Sequence, residues 1–153
     1  MSNGITVIKR NGDKDSLNLE KVHKMVEHAC EGLAGVSASQ VEISSGIQFF
    51  DGIKTSEIQQ ILVKSASDLI SLETPNYQYV ASRLLLFDLR KQLNDHYERH
   101  PFILDHVKKC ADLDVYDKTI IEKYTEEEWK QIDSYIDYGC LLYTSDAADE
   151  RNS

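Results

Sequence analysis

Ile5-Thr-Val-Ile-Lys-Arg-Asn-Gly-Asp-Lys-Asp-Ser-Leu-Asn18 is the stretch on which the fold turns. Two β-compatible runs flank Asn11-Gly12, the strongest short hairpin signal, because both residues tolerate positive φ. The pattern predicts a strand over 5–10, a turn at 11–12 and a strand over 13–17. Asn18 then has the character of a helix N-cap, its side-chain oxygen able to take an orphan N–H. Behind it Leu19, Val22, Met25, Val26, Ala29, Cys30 and Leu33 recur at helical spacing, and Gly35 is the expected stop.

Three further helices follow. Ser37-Ala-Ser-Gln40 has the form of a capping box ahead of Val41, Ile43, Ile47 and Phe50, and Asp51-Gly52 breaks that helix. Thr55 or Ser56 caps a third, with Ile58, Ile61, Leu62, Ala66, Leu69 and Ile70 on its apolar face. Thr74-Pro75 opens a fourth, proline at the first helical position, where its missing N–H costs nothing. The inward face of that helix runs through Tyr77, Val80, Leu84, Phe87 and Leu93. The expected fold class is α+β, mainly α: a four-helix bundle with a small β-hairpin or three-stranded lid, followed by an incomplete helical segment.

Past His100-Pro101, Phe102, Leu104, Val107 and Cys110 suggest a short helix. Thr125-Glu-Glu-Glu128 is a capping box before Trp129, Ile132, Tyr135 and Ile136. These apolar groups have too few partners for an independent core, so the segment reads as the start of a second domain that the chain does not complete. From Gly139 no period is sustained, and Tyr143-Thr-Ser-Asp-Ala-Ala-Asp-Glu150 resembles translated sequencing adapter. The expected organisation is therefore 1–98, 99–138 and a non-native tail over 139–153.

Charge is unevenly spread along the 153 residues. The net charge is −9 overall, but residues 1–110 hold 14 acids and 13 bases, and residues 111–138 hold 9 acids and 3 bases. A chain this acidic is not expected to bind nucleic acid through broad charge attraction. No apolar run approaches the ~20 residues of a membrane span, and the N-terminus lacks a signal-peptide layout. Cys30, Cys110 and Cys140 form no CxxC and read as reduced thiols in a cytoplasmic protein.

GxxxxGK[ST], GxGxxG, HExxH and GxSxG are all absent, and the five histidines do not fall at metal-binding spacing. The informative residues are basic. Lys9 and Arg10 end the first strand, Asn18 and Lys21 open the first helix, Lys54 and Thr55 open the third, and Arg90 and Lys91 sit late in the fourth. A hairpin folded over the helix openings brings these groups together. Two helix N-termini add free N–H groups and positive dipole ends, which suits a polyphosphate. Each residue also has an ordinary reading: a Lys-Arg pair protects a hairpin edge, Asn18 and Thr55 cap helices, and Lys91 is solvated.

Val7-Ile-Lys-Arg-Asn-Gly12, Leu17-Asn-Leu-Glu-Lys-Val-His23, Gln48-Phe-Phe-Asp-Gly-Ile-Lys-Thr-Ser56 and Tyr77-Gln-Tyr-Val-Ala-Ser-Arg-Leu84 together resemble the ATP-cone. This is the regulatory domain at the N-terminus of ribonucleotide reductase large subunits. Tyr116–Asp137 is similar to the start of the catalytic region of the class I enzyme. The resemblance implies that ATP or dATP, with Mg2+, acts as allosteric effector beneath the lid. Lys9 and Arg10 would meet phosphates, Asp15, Ser16, Leu17 and Asn18 would line adenine and ribose, Lys21 would reach the phosphates, and Thr55 and Lys91 would complete the site. It further implies a parent ribonucleoside-diphosphate reductase working as an α–α dimer with a radical-generating β subunit.

No catalytic residue and no metal ligand of the family falls within this chain, so the 153 residues alone should be inactive. Two departures stand out: Asp15 is one methylene shorter than the expected Glu, and Gln59 occupies the place of a His. Two alternatives carry distinct expectations. A cone in a stand-alone gene regulator would need a zinc-bound DNA-binding module, for which there is no CxxC pair. A helical interaction module without a nucleotide site would ignore ATP.

Overall fold

The computed structural model describes residues 4–94, 96–97 and 100–138; the tail expected over 139–153 lies outside them. The hairpin is formed by β1 (Thr6–Ile8) and β2 (Lys14–Ser16), antiparallel, with Val7 opposite Asp15. A third strand, β3 (Ile53–Lys54), pairs in parallel with β1 on its other edge, giving the order β2-β1-β3.

Both hairpin strands are shorter than the sequence pattern suggests, because the turn is wider than two residues. Gly12 N–H donates to the Lys9 carbonyl at 2.9 Å and Lys9 N–H to the Asp13 carbonyl at 2.8 Å. Only Gly12 takes positive φ, +90°, while Asn11 instead binds Asp13 through both side-chain atoms. A type I turn closed by a left-handed glycine replaces the expected two-residue turn. The consequence is positional: Lys9 and Arg10 lie beyond the end of β1, in the turn at the tip of the hairpin.

The bundle comprises α1 (Leu19–Cys30), α2 (Ala38–Gly46), α3 (Thr55–Asp68) and α4 (Tyr77–Asn94). Asn18 caps α1 as expected, its Oδ1 accepting from Lys21 N–H at 3.0 Å. Several ends differ from expectation. α1 stops at Cys30, short of Leu33 and Gly35, and Gly32 already takes a left-handed φ. α2 ends at Gly46, leaving Ile47 84% and Phe50 57% exposed instead of buried. In α3 the cap position falls on Lys54, whose N–H is taken by Glu57, so Thr55 is the first helical residue rather than the cap. α4 begins at Tyr77, two residues after Pro75, and Leu93 faces solvent.

The Ser37 capping box does not form because Tyr77 claims both partners. Its hydroxyl donates to Gln40 Oε1 at 2.6 Å and accepts from Ser37 N–H at 3.0 Å. Tyr77 is fully buried, so this bridge ties the start of α4 to the start of α2 within the core. Tyr77→Phe removes both hydrogen bonds and leaves the half-buried Ser37 N–H and the exposed Gln40 amide to water, an expected cost of about 1 kcal/mol, read as a lowered midpoint in thermal denaturation.

The core is one cluster spanning sheet and bundle, centred on Val26, Val41, Ile53, Leu62, Val80, Leu84 and Phe87. Val7 and Ile53, inward-facing in β1 and β3, bind the sheet to it. Arg83 is a buried member the periodicity did not mark; its guanidinium donates to the Ala29 and Glu31 carbonyls at the end of α1.

Beyond residue 100 lie α5 (Ile103–Asp112), α6 (Thr119–Glu122) and α7 (Glu126–Ser134). The Thr125–Glu128 capping box is made in both directions. Leu104, Val107 and Trp129 form a small second cluster. Among the described residues no helix is long and apolar enough to cross a membrane.

Candidate functional site

The sheet lies across the openings of α1 and α3 and over the late turns of α4. Between them is a cavity of about 600 Å³, within the range of small-ligand pockets. One wall is apolar: Val7 from β1, Val22 and Met25 from α1, Ile58 from α3. The other is largely polar, and its charges are mostly positive. Lys9, Asp15, Ser16, Leu17, Asn18, Lys21, Thr55 and Lys91, expected from sequence, all line it. Arg10, also expected, does not. It lines an adjoining cavity of about 550 Å³ shared with Lys9, Lys54, Ser56 and Lys91, and its guanidinium is ion-paired with Asp88 of α4.

The cations are held differently. Lys9 Nζ is 2.6 Å from Asp15 Oδ2, across the hairpin, with both groups exposed. That contact raises the Lys9 amine and lowers the Asp15 carboxyl from their ordinary values, its hydrogen bond being the largest cause for each. The pair is open to water and to exchange with an arriving anion.

Lys91 is partly buried, and among the described residues its hydrogen-bond partners include no carboxylate. Nζ donates to Gln59 Oε1 at 3.1 Å, lies 3.1 Å from Met25 Sδ and sits 5.2 Å above the Tyr97 ring. Burial pushes its amine down to about 8; Arg10 adds to the depression and Asp88 opposes it.

Gln59, 1% exposed, orients this contact. Its Nε2 donates to the Leu84 carbonyl at 2.9 Å, which leaves Oε1 facing Lys91. In sequence Gln59 stands out only as a departure from the family pattern, although a further signal is present: it is a polar residue one place from Ile58 on the inward side of α3. Met25 and Ile58 were legible as core positions and turn out also to wall the cavity. Tyr97 and His96 follow α4 and had no periodic signal.

An apolar wall facing several amines, with two helix openings alongside, suits a ligand with a flat apolar part and a multiply charged anionic part. Among the described residues no group of three or more His, Cys, Asp or Glu could hold a metal ion. Burial pushes the Cys30 thiol up to about 11, which makes it a poor nucleophile.

A family model described as the ATP cone domain matches residues 5–92. The chain is 48% identical over 138 residues to the ribonucleoside-diphosphate reductase 1 subunit alpha of Escherichia coli, covering 90% of this chain and 18% of that protein. It is 45% identical over 138 residues to the subunit alpha of Haemophilus influenzae, with the same coverage. It is 49% identical over 85 residues to that of Helicobacter pylori, covering 56% of this chain and 11% of the relative. The chain thus spans less than a fifth of the length of these relatives.

Proposed function

The chain belongs to the ATP-cone family, and from that membership we propose that the cavity beneath the sheet binds ATP and dATP as allosteric effectors. One observation carries the reading: the amines of Lys9, Lys21 and Lys91 and the apolar groups Val7, Val22 and Ile58 line a single cavity between lid and bundle. Adenine lies against the apolar wall, with Asp15, Ser16, Leu17 and Asn18 around base and ribose. The triphosphate runs toward Lys9, Lys21 and Lys91, with Thr55 at the opening of α3 and Arg10 reaching it from the hairpin tip. A charge-assisted hydrogen bond from a well-placed amine contributes roughly 1.5–3 kcal/mol. Mg2+ travels with the phosphates, since Asp15, the acidic residue lining the cavity among the described residues, is engaged by Lys9.

Residues 1–98 then act as the cone and 99–138 as the beginning of the region that follows it, with 139–153 foreign to both. The parent protein, on this reading, is a cytoplasmic class I ribonucleoside-diphosphate reductase α subunit. It forms an α–α dimer and draws its radical from a β subunit. The cone is its activity switch. ATP and dATP differ by one hydroxyl, and a ligand shifts a conformational equilibrium only by its differential affinity for the two states. One hydroxyl contact supplies roughly 1–3 kcal/mol of such a difference.

Titration calorimetry of the 153-residue chain with ATP and with dATP tests the proposal. Micromolar binding of both is expected. Absence of heat, together with unshifted amide resonances at millimolar nucleotide, removes it and leaves the interaction-module reading.

A further inference from the structure

The seat of Lys91 has a consequence for how this cavity is controlled. We infer that nucleotide binding is coupled to uptake of a proton by Lys91, so that affinity falls as the medium becomes alkaline. The inference rests on the reading that the cavity takes a triphosphate.

Among the described residues three contacts hold the amine, and none demands a positive charge. The Gln59 carbonyl oxygen accepts an N–H from –NH₂ as well as from –NH₃⁺, and so does the Met25 thioether. The Tyr97 face favours the cation but does not neutralise it. The carboxylate on the same helix, Asp88, is occupied by Arg10 and by Gln92 Nε2.

Every element packed around the cavity adds charge, mostly of one sign. The sheet and its tip bring Lys9, Arg10 and Asp15, the last bound to Lys9. α1 brings Lys21 and Lys24, the latter paired with Glu20 at 3.1 Å, the start of α3 brings Lys54, and the side chain of His96, after α4, also lines the cavity. In this cationic, partly dry setting the amine titrates at about 8. A bound polyphosphate supplies the missing counter-charge and favours –NH₃⁺. The proton comes from solvent and stays on Nζ while the nucleotide is bound. A terminal phosphate loses its last proton near about pH 6, so at pH 8 the ligand is already ionised and contributes little.

The test is calorimetry of the full chain with ATP at pH 8, in buffers of different ionisation enthalpy such as Tris and HEPES. About half a proton taken up per ATP is expected, and the affinity should fall roughly tenfold between pH 7 and pH 9. In Lys91→Arg the guanidinium stays charged throughout, so uptake should vanish and the affinity should be flat over that range. ATP binding in the wild type without uptake and without pH dependence overturns the inference while leaving the nucleotide site intact. Uptake that persists in Lys91→Arg also overturns it, because another group would then be responsible. No binding at any pH would instead defeat the reading on which it rests.

Discussion

Lys9→Ala combined with Lys91→Ala weakens ATP far more than adenosine. The two ligands share base and sugar and differ in the triphosphate, so their ratio reports only on the phosphate end. Lys91 accounts for the larger part. Its amine is partly buried and its hydrogen-bond partners among the described residues are neutral, so a phosphate oxygen meets a cation that no described carboxylate binds directly. Removing it should cost about 1.5–3 kcal/mol, roughly 10- to 150-fold in affinity. Lys9 adds less, because its exposed ammonium must be shared with Asp15 before and after binding. Adenosine affinity should change little. Equal losses for both ligands, measured by calorimetry, would show that the phosphates are held elsewhere.

The ranking of these two lysines was not legible in the sequence, although both residues were. Helical spacing located α1 and α3, and Asn11-Gly12 located the hairpin, because those signals are local: a period of 3.6, a turn residue, a cap. They were enough to bring eight of the nine expected residues to one cavity. What failed was settled by tertiary partners. Ser37 and Gln40 carry a capping pattern, yet Tyr77, 37 positions beyond Gln40, takes both groups. Ile47 and Phe50 continue the apolar spacing of α2, but the helix ends at Gly46 before the chain turns into β3. Arg10 was expected to serve an anion directly. Its pairing with Asp88, 78 residues away, is invisible until α4 is laid beneath the hairpin tip. Gln59 shows the same limit: one polar residue on an inward face signals a buried contact but does not name Lys91 as the partner.

The Gln59–Lys91 contact also predicts an opposition between stability and binding. At neutral pH the native state holds a partly buried ammonium that would titrate near 10.5 in the unfolded chain but does so at about 8 when folded. That difference destabilises the ligand-free protein by about 3 kcal/mol wherever both states are protonated. Replacing both partners by apolar side chains of similar length, Gln59→Leu with Lys91→Met, removes the charge without stranding the amide. The Leu84 carbonyl that Gln59 now engages lies inside α4, where the helix ladder satisfies it. The double variant should therefore melt about 5–10 °C higher than the wild type at pH 7, while its affinity for ATP collapses. The sign of the pH dependence follows from the lowered value. Below pH 8 the wild type bears the whole penalty. Between pH 8 and 10.5 its native state is already neutral while the unfolded chain still holds the proton, so wild-type stability gains on the variant and the gap closes. A melting point below that of the wild type at pH 7, or a gap that widens with alkalinity, would show that Lys91 is comfortably solvated and that its seat on Gln59 carries no stored cost.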